Sequence, residues 1–376
     1  MNNHNFIASG SFGCMIIPNY KCNNTTNYNN AVSKIFPDKE EWEDEIKLHS
    51  IIQNIDSDNK FTIKMIDNCK IKNDDIIKNT KKIYKCELID EYTPNIYQIV
   101  YEYGGIDLEI LFKKKLYLME KINILDFFKS FINILKGIKT LVKNNYIHHD
   151  IKIDNILYNN EKNKFILIDF GKLIKKDNNE NILKSLKEKD EYYITHIFFP
   201  PEYNILYNVY INNENKNDII NNNLYNFSEN RLKILVIQIL NNKKLPENYR
   251  FKIEELILKI ENNLYKTSFE LYKIFKEDIE DIKDVNEKKL NDYFIKLSNK
   301  YSKNKINIRC KIDVYMVGLT LFNLLLYSLI FLKEQNNIYK IPLKLFDLIF
   351  KMIDINPFTR ISIEDAIIEY KKIFNI

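Results

Sequence analysis

The stretch Ile147-His148-His149-Asp150-Ile151-Lys152-Ile153-Asp154-Asn155-Ile156-Leu157, followed after a polar break by Phe165-Ile166-Leu167-Ile168-Asp169-Phe170-Gly171-Lys172, decides how this chain is read. Two apolar runs flank Asn159-Asn160-Glu161-Lys162-Asn163, which is the pattern of strand, polar turn and strand. Asp150 stands before the hairpin and Asp169 after it, so both fall at its open end, with Asn155 beside the first strand. A base, an amide oxygen and a second carboxylate are therefore expected to converge. Phosphoryl transfer with magnesium needs that set: one group to accept a hydroxyl proton, and oxygen ligands to hold metal on the phosphates.

The same run resembles the catalytic and metal-binding loops of the eukaryotic protein kinase family, whose patterns are His-Arg-Asp-Leu-Lys-x-x-Asn and Asp-Phe-Gly. This chain has His148-His149-Asp150-Ile151-Lys152-Ile153-Asp154-Asn155 and Asp169-Phe170-Gly171, with His149 where the family usually has Arg. The two motifs in this order are far more specific than either alone. The resemblance implies an α+β, bilobal kinase-like fold: a small, mostly β N-lobe over 1–103 and a larger, mostly α C-lobe over 104–376. It implies ATP and Mg2+ as cofactors. Asp150 would be the base, Lys152 would neutralise the γ-phosphate, and Asn155 and Asp169 would be the metal ligands. Lys152 points to the serine/threonine class, because tyrosine-specific members usually lack Lys there. His148 and Phe170 read as packing residues.

Further matches lie on both sides. Ile7-Ala8-Ser9-Gly10-Ser11-Phe12-Gly13-Cys14-Met15 resembles the glycine-rich phosphate loop, with Ala8 in place of the first Gly. Gly10 and Gly13 keep the capacity for close backbone approach to phosphates, and Cys14 reads as a small loop residue. Lys21 to Asn30 is a polar turn, and Ala31-Val32-Ser33-Lys34 matches the strand that carries the family's phosphate-binding lysine. Asp38 to Asn54 predicts an amphipathic helix with Trp42, Ile46, Leu48, Ile51 and Ile52 on its apolar face and acids in the first turn. Glu45 would pair with Lys34, with Glu41 as the competitor. Asn68 to Lys82 reads as a polar connection. Ile96 to Gly105 resembles the last strand and hinge: Tyr101 behind the adenine, the backbone of Glu102 and Gly104 on its edge, and Asp107 near the ribose.

Asp126 to Asn145 predicts one strongly apolar helix that stops at Asn144-Asn145. Thr195-His196-Ile197-Phe198-Phe199-Pro200-Pro201-Glu202 has the spacing that closes the family's activation segment, which places Thr195 between Asp150 and Lys152. The resemblance resumes at Lys311-Ile312-Asp313 and ends at Asp354 to Arg360, where Arg360 would pair with Glu202. Ser362 and Asp365 form a capping-box pattern. Asp313 comes 111 positions after Glu202, where the family has a short link. The segment at about 204–310 therefore reads as an inserted helical subdomain, with helical stretches at Arg231 to Leu240 and Phe251 to Asn262.

Composition narrows the classes. Net charge is +5, from 56 basic and 51 acidic residues, too mild to argue for nucleic acid as a partner. The excess of Asn, Ile, Lys and Tyr is that of an AT-rich coding sequence. Val314 to Leu332 is 19 residues without a charge, near a membrane span in length, yet it contains Thr320, Asn323 and Ser328 and follows Asp313. The expectation is a buried helix of the large lobe and no membrane. The five cysteines are odd in number and not at metal-ligand spacing, which suggests a reducing, intracellular and cytoplasmic setting. The protein substrate and the oligomeric state are not written in the sequence. A catalytically dead scaffold of this family and a small-molecule kinase of similar fold are the alternatives. The first usually lacks the strand lysine, the base or the metal Asp, all present here; Lys152, Thr195 and Pro201-Glu202 argue against the second.

Overall fold

The computed structural model describes residues 5–9, 13–22, 28, 30–71, 85–90, 92–93, 95–114, 122–176, 200, 245–259, 310–332 and 341–376. The chain divides into two compact units, Met1–Ile106 with Leu157–Gly171, and Asp107–Ile156 with Lys172–Ile376.

The first unit is built on a five-stranded antiparallel sheet of order β1-β2-β3-β5-β4. Its strands are β1 (Asn5–Ser9), β2 (Cys14–Ile17), β3 (Ala31–Phe36), β4 (Met65–Lys70) and β5 (Tyr97–Glu102). The predicted lysine strand is thus central rather than an edge. Lys34 lies in register with Met15 on one side and Ile99 on the other. The polar connection expected from Asn68 begins later, because Asn68–Lys70 still pair with β5; the side chains alternate too weakly in polarity to show it. Helix α1 (Lys39–Ile55) starts where Asp38 accepts the N–H groups of Glu40 and Glu41 at 2.7 and 3.0 Å, a cap worth about 1 kcal/mol. Its buried positions are His49 and Ile52, so the face includes a histidine that the apolar pattern left out. The helix ends at Asp56, whose carboxylate accepts the N–H groups of Lys60, Phe61 and Thr62 and the Thr62 hydroxyl.

The cysteines depart from expectation. Cys14 is a buried residue of β2, bonded to Cys86 by a disulfide, and Cys22 is bonded to Cys69. Four of the five cysteines are therefore in disulfides, and Cys310 is in neither. The odd count concealed two bridges. Cysteine usage therefore gives no support to a reducing setting. The Gln98 amide nitrogen reaches Cys22 Sγ and Cys69 Sγ at 3.2 and 3.3 Å and the Tyr20 carbonyl at 2.8 Å, which satisfies a buried polar group inside the sheet.

The chain passes between units at β6 (Ile106–Asp107). In the second unit, the single helix expected over Asp126–Asn145 is two: α3 (Ile124–Ser130) and α4 (Ile132–Lys143), after a short α2 (Leu108–Lys114). The break is at Phe131, whose N–H bonds to Phe128 three residues back instead of four. Ile134, Leu135, Ile138 and Leu141 of α4 are buried, and left-handed Asn145 (φ 68°) ends the run. Strand β7 (Tyr146–Ile147) then pairs with β10 (Ile174–Lys175). A 3-10 turn over Ile153–Asn155 follows, so the first strand of the expected hairpin is shorter than its apolar run. The hairpin itself is β8 (Ile156–Asn159) and β9 (Lys164–Leu167).

Residues 247–259 form helix α5, part of the expected insertion. Tyr249, Ile253 and Leu256 are buried, the Tyr249 hydroxyl donates to the Ile341 carbonyl at 2.6 Å, and Lys252 pairs with Asp347 at 3.1 Å. The expected helix Arg231–Leu240 lies outside the described residues. Helix α6 (Cys310–Leu332) is the core of the second unit: it is long and apolar enough to cross a bilayer, and 94% of its most apolar window is buried. Helices α7 (Lys344–Met352) and α8 (Ile363–Phe374) close the unit. Ser362 and Asp365 complete the capping box, with Asp365 N–H on the Ser362 hydroxyl at 3.1 Å and that hydroxyl on the Asp365 carboxylate at 2.7 Å.

Candidate active site

Each unit carries one part of the expected chemistry. In the first, Lys34 Nζ meets Glu45 Oε2 at 2.9 Å, which selects Glu45 over the exposed Glu41. The pair is partly shielded, at 17% and 24% side-chain exposure, so its attraction exceeds that of an open surface pair. The Tyr101 hydroxyl donates to the other oxygen, Glu45 Oε1, at 3.2 Å. Burial and the nearby carboxylates of Glu45 and Asp169 push the Tyr101 phenol well above its ordinary value, so it stays protonated and donates. Two further residues of α1 bond to the sheet. Trp42 Nε1 donates to the Gln98 carbonyl at 3.1 Å while its ring stacks on Tyr97, and the Met65 N–H donates to His49 Nε2 at 3.1 Å. Burial lowers the His49 pKa, which keeps a neutral lone pair for that bond.

In the glycine-rich run, Ala8 and Ser9 pair with Met15 and Cys14, Ile7 is exposed, and Gly10, Ser11 and Phe12 lie outside the described residues. A Cβ on Gly13 would sit 2.6 Å from the Ile35 carbonyl, so close packing of β3 against Gly13 requires this glycine. At the hinge, the Glu102 N–H is bonded to the Lys64 carbonyl at 3.0 Å. Asp169 is exposed, with left-handed φ of 60°, and its Oδ1 accepts the Gly171 N–H at 3.4 Å. A non-glycine residue in that region carries local strain that its surroundings must offset.

In the second unit, Asp150 is buried and its Oδ2 accepts from Asn155 Nδ2 at 3.0 Å; the same amide nitrogen donates to the Asp150 carbonyl at 2.8 Å. Lys152 Nζ is 3.5 Å from Oδ2 and Lys172 Nζ 3.9 Å from Oδ1. The carboxylate thus has a cation near each oxygen. Behind it, buried Asp313 takes the His148 N–H on Oδ2 at 2.8 Å and the His149 N–H on Oδ1 at 2.9 Å. That contact ties the start of the apolar helix to the loop. His148 Nδ1 accepts the Asp150 N–H at 3.3 Å, and His149 is buried with φ of 68°. Asp107 accepts the Ile110 N–H at 3.0 Å across the first turn of α2, so its carboxylate has a capping task besides any contact with a ribose. Burial, opposed by that hydrogen bond and reinforced by nearby Asp154, pushes its pKa up to about 6.

Thr195 and Glu202 lie outside the described residues, so neither the bridge between Asp150 and Lys152 nor the Arg360 pair is part of this geometry. Arg360 is buried, and bonds to the carbonyls of Lys311, Asp354 and Ile355.

Each unit offers a side-chain oxygen of the kind that a hard cation such as magnesium takes. In the second unit the Asn155 amide nitrogen is bonded to Asp150, so its oxygen is the atom that side chain can offer a cation. In the first unit Asp169 offers an exposed carboxylate. No group of three or more His, Cys, Asp or Glu side chains able to hold a metal occurs among the described residues. Sequence reasoning missed the bonds from Trp42 and His49 to the sheet, and placed Tyr101 without its link to Glu45. Each depends on how α1 lies over β5, which no local pattern encodes.

No curated protein matches the chain. The protein kinase domain family does, over residues 1–219, a span that holds the glycine-rich run, Lys34, Glu45, Asp150, Lys152, Asn155 and Asp169. With more than half of its length matched and the family's motifs in order, the chain belongs to the protein kinase domain family, whose chemistry is phosphoryl transfer.

Proposed function

We propose that the protein transfers the γ-phosphoryl group of ATP to serine or threonine hydroxyls of protein substrates. The observation that carries this reading is the setting of Asp150: buried, held by the Asn155 amide at 3.0 Å and faced by Lys152 at 3.5 Å. A carboxylate fixed in this way can take the proton of an incoming hydroxyl, while Lys152 offsets charge on the transferred group. Asn155 and Asp169 would hold Mg2+, which bridges phosphate oxygens and neutralises their charge. Lys34, steadied by Glu45, would position the phosphates. Lys152 and the serine or threonine acceptor go together in the family that the chain resembles. The presence of base, lysine and both oxygen donors speaks against a scaffold without catalysis.

The test is phosphate transfer from radiolabelled ATP to a generic protein mixture and to a small alcohol, followed by acid hydrolysis to identify the labelled residue. Asp150→Asn should lower turnover by about 10²–10⁴-fold with ATP binding retained. Label on phosphotyrosine or on the alcohol alone would overturn the acceptor assignment. Full turnover by Asp150→Asn would overturn the role of the base.

A further inference from the structure

Trp42, Glu45 and His49 are spaced three and four residues apart, so they share one face of α1. Each is joined to the sheet by a polar bond: Trp42 Nε1 to Gln98 O at 3.1 Å, Glu45 Oε1 from Tyr101 Oη at 3.2 Å, and His49 Nε2 from Met65 N at 3.1 Å. Two of the three partners, Gln98 and Tyr101, belong to β5, and Met65 opens β4 beside it. Hydrophobic packing alone lets a helix slide or rotate over a sheet, because it has no preferred direction. Three directional bonds from one face do not. The middle bond falls on the residue that also meets Lys34, and divides its carboxylate: Oε2 to the lysine, Oε1 to the phenol. The Tyr101 side chain is buried, and its ring lies 5.6 Å from that of His49, centroid to centroid, so the hydroxyl is aimed by its own packing.

We propose that Tyr101 is a positioning residue for nucleotide binding: its phenol fixes the Glu45 carboxylate, so that the Lys34–Glu45 pair is assembled within the unit by α1 and β5. This rests on the reading of Lys34 as the phosphate-positioning lysine. No partner is then required to bring Glu45 to Lys34, and Tyr101 acts only through Glu45.

The experiment is a double-mutant cycle on the full chain with Tyr101→Phe, which removes only the hydroxyl, and Glu45→Gln. Dissociation constants for ATP with Mg2+ are read alongside hydrogen exchange of the α1 amides in the absence of nucleotide. Tyr101→Phe should weaken ATP about fivefold and speed exchange across Trp42–Ile52 about fivefold, with the melting temperature almost unchanged. In the Glu45→Gln background the same substitution should add nothing. Wild-type exchange in Tyr101→Phe overturns the proposal whatever ATP does. So does an effect on ATP that multiplies with that of Glu45→Gln. A chain that binds no ATP at all, yet shows the faster exchange in Tyr101→Phe, would remove the nucleotide reading and leave the clamp standing as a structural one.

Discussion

Asp313 Oδ1 accepts the His149 N–H at 2.9 Å, a contact across 164 positions that fixes the loop beside Asp150 to the first turn of α6. Its other oxygen holds the His148 N–H, so one side chain satisfies two consecutive buried donors. Asp313→Ala would strand both. The expected loss is about 2–5 kcal/mol of stability, since an unmade buried hydrogen bond costs roughly 1–3 kcal/mol and these donors face a charged acceptor. Asp313→Asn, with one acceptor oxygen, should lose part of that and lower turnover by misplacing Asp150. Urea denaturation and initial rates on the two variants check the order.

Asp107 predicts a pH dependence of stability. Its carboxyl titrates at about 6 in the folded chain, above the roughly 3.9 of an unfolded aspartate. The folded state therefore holds the proton more tightly, and the group favours folding below about pH 4 and loses that contribution as pH rises through about 6. Asp107→Asn keeps an oxygen for the Ile110 N–H and removes the charge. The variant should gain on wild type by a few degrees in melting temperature (about 2–4 °C per kcal/mol for a domain of this size) at pH 7.5. The gain should vanish near pH 4. A gain independent of pH would show that titration of Asp107 is not its source.

His149 bears on control of activity. In the family the Arg at this place pairs with a phosphate on the activation loop, through a permanent fork of donors. Here the residue is a buried histidine, and its backbone N–H is bonded to Asp313. An imidazole offers at most two donors, where a guanidinium presents five in a fixed fork. The expected outcome is activity without loop phosphorylation. Phosphatase treatment, mass spectrometry to show bare Ser185, Tyr192, Tyr193 and Thr195, and an initial rate within about twofold of the untreated enzyme would support it. A collapse of the rate, restored by phosphorylation at one of these residues, would refute it.

The disulfides make the first unit depend on oxidation. Cys14 and Cys86 are 72 positions apart, and closing a loop of that size removes about 4 kcal/mol of unfolded-state freedom in the chain-entropy estimate. Cys14→Ser with Cys86→Ser should lower the melting temperature of the oxidised protein, and dithiothreitol should lower wild type to a similar or greater degree. An unshifted melt after reduction, with four free thiols newly counted, would show that the bridges add no stability.

Much of the site was legible because kinase motifs are local. Asp150, Lys152 and Asn155 lie within six residues, and the 3-10 turn that bends Asn155 back onto Asp150 is a short-range event. Lys34 and Glu45 were legible as candidates, since each sits on a strand or helix with a clear pattern. Only the structure separates Glu45 from Glu41. The cysteine pairs were not legible, because which thiols meet is set by sheet order over separations of 72 and 47 residues. His49 escaped because a count of apolar letters passes over a neutral imidazole that takes a backbone N–H. Phe131 escaped because an apolar run carries straight through a helix break when the break is itself aromatic.

The two bridges are nested: the Cys22–Cys69 link lies inside the span closed by Cys14–Cys86. Covalently, residues 14–86 form a ring within a ring, and both Lys34 and Glu45 are carried on the inner one. A protease that cuts the backbone once between residues 22 and 69 therefore meets a chain still joined at two points, and one that cuts between 69 and 86 meets a chain joined at one. The nicked molecule would run as a single species until a reductant is added. The lysine and its glutamate would stay tethered to each other through damage that would release a fragment from an unbridged chain.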